Sequence, residues 1–199
     1  MDIEYKWNIV IGASAGGIPP LIKLFDHTPL DSAAYFILHH IPINHRSHLQ
    51  SILSRHSEML IREAESGMRV ENNVVYIPPT ACYMTIADDR LHTPTRPVQD
   101  INRAIETFLL SVVTEVKRNL IVILLSGNGN DGIRTLRAVK EAGGVIIVQS
   151  PDTCEFPAMP NNAIRTGLVD FVAEAAEIPR LVHEEIIPFM EKRASDGSV

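Results

Sequence analysis

The apolar run over residues 7–11 leads straight into Gly12-Ala13-Ser14-Ala15-Gly16-Gly17. A strand that empties into a glycine-rich turn opening a helix places backbone N–H groups and one side chain at the carboxyl edge of a sheet. Ligands of α/β folds collect at that edge. Three readings compete for this turn. A nucleophile elbow needs Gly-x-Ser-x-Gly, because the sharp turn must expose the hydroxyl and let neighbouring backbone pass close, and Gly12, Ser14 and Gly16 meet that pattern. A phosphate-cradling turn fits less well, since neither Gly-x-Gly-x-x-Gly nor a P-loop Lys-Ser/Thr is present. In the third reading Ser14 only caps the following helix.

Strand-length apolar runs alternate with segments of helical period along the rest of the chain, the pattern of a parallel sheet covered on both faces. Strands are expected over residues 7–11, 35–39, 74–77, 120–125, 145–148 and 168–171. Residues 84–87 and 90–92 flank Asp88-Asp89 and read as a hairpin. Helices are expected over 18–25, with Pro19 and Pro20 in the first turn, and over 47–56, opened by the capping box Ser47-His48-Leu49-Gln50. The clearest helix starts near Asp100, where Ile101, Ala104, Ile105, Phe108, Leu109, Val112, Val113 and Val116 keep i, i+3, i+4 spacing. Another runs over 133–142 and stops at Gly143-Gly144. The last begins near Pro179, and Pro188 should kink or end it. The fold class is therefore α/β: a doubly wound, mostly parallel sheet with helices on both faces and a small β-hairpin. The expected domain is single, over residues 1–193, followed by a disordered tail at 194–199.

The 199 residues suffice for one buried core. A net charge of −6 argues against nucleic acid or an anionic membrane as partner, because such binding needs basic patches. Cys82 and Cys154 have no CxxC spacing, the N-terminus lacks a basic region and an apolar stretch, and no apolar run approaches the ~20 residues of a membrane span. The expectation is a cytoplasmic chain with no membrane insertion.

A nucleophilic serine needs a base and a group that orients the base. His39-His40-Ile41-Pro42 follows the second strand and brings imidazoles to the same edge as Ser14. Strand alternation sends the two rings to opposite faces, so at most one is expected to meet the serine. The central strand enters Ser126-Gly127-Asn128-Gly129-Asn130-Asp131-Gly132, where Asp131 either caps the helix that follows it or orients an imidazole. His39, His40, His45 and His48 invite a metal reading, but no HExxH or spaced carboxylate accompanies them, and no metal or cofactor is expected. Arg96 could meet an anionic substrate but reads better as a solvated loop residue. Cys154 has no histidine nearby in sequence to activate it.

Taken together, Ile11–Gly17, His39–Pro42, Tyr76-Ile77-Pro78-Pro79, Leu125–Gly132 and Ala158-Met159-Pro160 occur in an order that resembles the catalytic domain of CheB-type chemotaxis protein-glutamate methylesterases, from about Lys6 to Val182. The forms around Ser14, Ala64–Met68 and Lys140–Gly144 look most like domains fused to a methyltransferase. The resemblance implies a serine hydrolase that removes methyl groups from glutamate γ-methyl esters of chemoreceptors and possesses a related deamidase activity on receptor glutamines. It places the nucleophile on Ser14, the histidine on His40 and the aspartate on Asp131. Ala15, Gly16, Asn128 and Gly129 would supply oxyanion and substrate contacts. The implied partners are a methylated chemoreceptor or other sensory protein, with a methyltransferase or regulatory domain in a larger protein. A catalytically weak, partner-binding module of the same fold is the competing implication. Ala15 and Asn128 depart from the threonine and methionine common in the family. The chain also starts six residues before its first strand, so no phosphoreceiver domain is expected within it.

Overall fold

The computed structural model describes residues 7–40, 48–98, 101–115 and 119–196. Strands β1 (Trp7–Ala13), β2 (Ala33–His39), β3 (Leu60–Glu63), β4 (Val74–Ile77), β7 (Asn119–Leu124), β8 (Val145–Gln149) and β9 (Phe171–Ala173) form one sheet, while β5 (Thr85–Ala87) and β6 (Arg90–His92) make a separate hairpin. The order β3-β4-β2-β1-β7-β8-β9 is parallel throughout. From β1 the chain passes to β2, goes out to the edge strand β3, returns to β4 between them, and then lays β7 on the other side of β1. The carboxyl ends of β1, β2 and β7 therefore meet where the winding reverses.

Strand alternation divides the core in two. Trp7, Ile9, Ile11 and Ala13 face one layer, built from α1 (Ile18–Phe25), α2 (Leu49–Leu53) and the C-terminal helices. Val10, Phe36 and Leu38 face the other layer. That layer holds α3 (Ala104–Thr114), α4 (Leu136–Glu141, after a 3₁₀ turn at Ile133–Thr135), α5 (Ala158–Arg165) and the hairpin. Asp88 and Asp89 both adopt positive φ, the conformation that joins two strands with their natural twist.

Several expectations shift for local reasons. The helix expected from Asp100 begins at Ala104, and Ile101 is 78% exposed; Asp100 and Val116 lie outside the described residues. The second helix is only Leu49–Leu53, and Gln50 donates to the Ile61 carbonyl instead of closing a capping box. Ser47 lies outside the described residues. The strand expected at 168–171 pairs instead from Phe171 to Ala173, because the Asp170 carboxylate already accepts the Ile146 N–H and the Lys140 ammonium. Pro188 does not end the last helix: α6 (Ile178–Arg180) runs through a π-helical turn at Leu181–Ile186 into α7 (Ile187–Ser195). The wider turn relieves the clash between the proline ring and the preceding carbonyls. The expected disordered tail accordingly starts inside a helix. β3 and α5 were not legible: β3 is a charged edge strand burying Ile61, and α5 opens on Pro157 and Pro160. No helix among the described residues is long and apolar enough to cross a membrane.

Candidate active site

The end of β1 turns sharply because neighbouring backbone holds it. Ser14 N–H donates to the Ser126 carbonyl, Gly17 N–H donates back to the Ser14 carbonyl, and the Ser126 hydroxyl donates to the Ala15 carbonyl. Gly16 adopts φ +66°, and a Cβ there would lie 2.9 Å from Ser126 Oγ and from Glu155 Cβ. Both its conformation and its crowding exclude a side chain. The turn from β1 is thus locked to the turn from β7, and the Ser14 side chain rests against Gly127.

Both histidines at the end of β2 reach Ser14, one through its carbonyl and the other through its hydroxyl. The reason is that Ser14 stands at the end of the adjacent strand. His40 Nδ1 lies 3.2 Å from Ser14 Oγ, and His40 Nε2 lies 2.6 Å from Asp131 Oδ2. A carboxylate oxygen can only accept, so Nε2 carries the ring proton and Nδ1 of the neutral ring is free to accept from the serine hydroxyl. His39 Nε2 lies 3.1 Å from the Ser14 carbonyl oxygen. The expectation that alternation turns His39 away from the serine is therefore corrected: it turns away from the hydroxyl and onto the backbone. Burial is the main force pushing the His39 pKa below its usual value, with the neighbouring His40 adding to it and the Ser14 carbonyl opposing it.

Asp131 is a cap, but not of the helix that follows it. Its Oδ2 accepts the Ile105 N–H and its Oδ1 the Glu106 N–H, at 2.9 and 3.0 Å, so it caps α3 from a distant turn. Two glycines make this possible. Ile105 sits where a Cβ on Gly132 would come within 2.5 Å of it and a Cβ on Gly12 within 2.8 Å. Gly132, at φ +79°, also lets the chain reverse directly after Asp131. The first turn of α3 can thus reach the carboxylate, whose side chain is 6% exposed against 17% for His40.

The remaining candidates divide. The amides of Ala15 and Gly16 meet no acceptor among the described residues, which leaves them available to a ligand. Asn128 and Gly129 lie on the exposed crest of the β7 turn, and no hydrogen bond among the described residues joins them to Ser14. Asn162 on α5 anchors this crest through the Gly129 carbonyl and the Asn130 side chain. Glu155, which overhangs Gly16, and Asn162 flank the Ala158-Met159-Pro160 block with no residue pattern of their own to mark them in the sequence. Arg96 is buried. Burial raises the Cys154 thiol to about 11, and its Sγ–H donates to the Ser150 carbonyl. Among the described residues no group of three or more His, Cys, Asp or Glu side chains could hold a metal ion; His45 lies outside them.

The family profile described as CheB methylesterase matches residues 9–182. A protein-glutamate methylesterase/protein-glutamine glutaminase of Archaeoglobus fulgidus is 31% identical over 196 residues, covering 94% of this chain and 54% of that protein. One of Syntrophomonas wolfei is 32% identical over 190 residues, covering 89% and 54%. The chain thus spans about half the length of the curated relatives it matches. The crystal structure of the Thermotoga maritima CheB methylesterase catalytic domain superimposes with a TM-score of 0.79 at 28% identity, covering 89% of this chain and 96% of that one. The profile, the relatives and the shared architecture together establish that this chain belongs to the CheB methylesterase family.

Proposed function

We propose that the chain is a serine hydrolase acting on γ-carboxyl derivatives of protein glutamate: methyl esters first, with glutamine side-chain amides as a second substrate. The observation that carries this reading is the unbroken hydrogen-bonded path from Ser14 Oγ through His40 to Asp131. The relatives' names, methylesterase and glutaminase, supply the substrate class.

In this mechanism Ser14 Oγ attacks the ester carbonyl carbon while its proton passes to His40 Nδ1. Asp131 keeps the other ring proton on Nε2 and stabilises the imidazolium that forms. The negative oxygen of the tetrahedral intermediate rests on the Ala15 and Gly16 amides, which have no competing acceptor among the described residues. His40 Nδ1–H then protonates the departing methoxide, and methanol leaves. Water, deprotonated by His40, splits the glutamyl–serine ester to regenerate Ser14 and release the carboxylate. An amide substrate follows the same path with ammonia leaving. Ala15 and Gly16 are the oxyanion donors in this reading; Asn128 and Gly129 shape the exposed rim.

A methylated chemoreceptor or related sensory protein is the proposed partner, met in the cytoplasm, with any regulatory domain supplied by a larger protein. The test is methanol release from methylated receptor membranes by the wild type and by Ser14→Ala. The reading expects release by the first and none by the second. Equal release by both removes Ser14 from the chemistry.

A further inference from the structure

Within the proposed reaction, one ring beside the serine has no step to perform. His39 is adjacent to the proposed base, yet its Nε2 faces the Ser14 carbonyl and not the hydroxyl. A carbonyl oxygen only accepts, so Nε2 carries the proton and Nδ1 does not. That Nδ1 is buried with no hydrogen-bond partner among the described residues. Among the described residues the ring makes a single hydrogen bond, to the Ser14 carbonyl, and that bond is the place to look for its role.

The Ser14 carbonyl belongs to the peptide unit that ends in the Ala15 N–H. The unit is planar and trans, so the N–H points opposite to the C=O. Two donors hold the carbonyl, Gly17 N–H at 3.0 Å from within the turn and His39 Nε2–H at 3.1 Å from the next strand. Fixing one end of a rigid plane fixes the other. Donation to the carbonyl oxygen also polarises the amide, making its N–H a better donor. The Gly17 bond closes the turn on itself; the bond from His39 ties the Ser14 carbonyl to β2, which is paired with β1 along its whole length.

We propose that His39 is a positioning residue that aims and polarises the Ala15 N–H as an oxyanion donor, acting through the Ser14–Ala15 peptide plane. It works in the neutral Nε2–H form and takes no part in proton transfer. The burial that lowers its proton affinity, and the repulsion from His40 when that ring becomes cationic, keep His39 neutral while His40 turns over.

The inference rests on the proposed serine chemistry, so its test reads Ser14 directly. The probe is a fluorophosphonate, whose attack by a serine also builds negative charge on an oxygen. Reaction is followed by mass spectrometry on the full chain. His39→Gln keeps an N–H donor at the end of a chain of similar reach; His39→Met has the same reach and no donor. His39→Gln is expected to react within about fivefold of wild type and His39→Met about 10–10³-fold more slowly, the upper end being the loss of a whole oxyanion donor. With methyl-ester substrate the Met variant should lose kcat and keep KM. Equal rates for Gln and Met, or a loss confined to KM, overturn the proposal. So does an Nδ1–H tautomer of His39 in wild type by nitrogen-15 NMR, a measurement that needs no variant to fold. Failure of the underlying serine reading looks different: the wild type itself would then leave Ser14 unmodified.

Discussion

Replacing Asp131 by asparagine separates two jobs that one carboxylate performs. Its two oxygens accept three donors: His40 Nε2–H and Ile105 N–H on Oδ2, and Glu106 N–H on Oδ1. Asparagine offers one oxygen and an NH₂ that cannot accept, so it must leave one backbone donor of α3 unpaired in either orientation. If the oxygen faces Glu106, the NH₂ confronts His40, and the ring must move its proton to Nδ1. The ring then donates towards Ser14 and can no longer serve as base. If the oxygen faces Ile105 and His40, the tautomer survives but the charge that stabilises the imidazolium is gone. A buried unpaired N–H costs about 1–3 kcal/mol. For a domain of this size that corresponds to a Tm lower by roughly 2–12 °C. Turnover should fall by up to ~10⁴, the loss seen when the triad aspartate of a serine protease is made asparagine. Methanol release and thermal unfolding of the same preparation check both numbers. Normal turnover with a lowered Tm would reduce Asp131 to a helix cap; lost turnover at unchanged Tm would remove the cap and leave only the orienting role.

Gly132→Ala should destabilise by about 2–5 kcal/mol, summing a left-handed alanine and an overpacked Ile105; an unchanged urea midpoint would contradict the close fit at that corner. Burial lowers the proton affinity of both His39 and His183 in the folded state. Their contribution to stability is therefore full above the ordinary histidine value of 6.5 and is lost as pH falls below it, with a slope of about 1.4 kcal/mol per pH unit for each proton taken up on unfolding. Urea unfolding between pH 8 and 5 should show this slope, and His183→Gln should flatten it. Cys154, with its thiol raised to about 11, should resist iodoacetamide at pH 7.5 and react appreciably only in strongly alkaline solution, as read by mass spectrometry. Prolonged dialysis against a strong chelator should leave ester hydrolysis intact, and loss restored by zinc would refute a metal-free mechanism.

Local chemistry alone carried much of this protein into view. The apolar runs at 7–11, 74–77, 120–125 and 145–148 each lie in, or share most of their residues with, a strand of the sheet, because continuous burial on both faces leaves a strong signal. The Gly-Ala-Ser-Ala-Gly turn and the Asp88-Asp89 hairpin turn were legible for a related reason: their backbone conformations demand particular residues. Elements set by long-range partners were not. α3 starts at Ala104, where Asn102 caps the first N–H locally and Asp131, 25–26 residues away in sequence, accepts the next two; the local sequence records nothing of that second cap. β3 exists only because β4 offers it an edge, and β9 begins at Phe171 only because Asp170 is held by Ile146 and Lys140. The site divides along the same line. That Ser14, His39, His40 and Asp131 gather at one edge follows from strand ends, which periodicity can locate. Which imidazole nitrogen meets the hydroxyl, which ring holds the backbone, and which helix Asp131 caps depend on distances between β1, β2, β7 and α3. Those distances come from packing contacts such as Ile105 between Gly12 and Gly132, and only the folded chain brings such residues together.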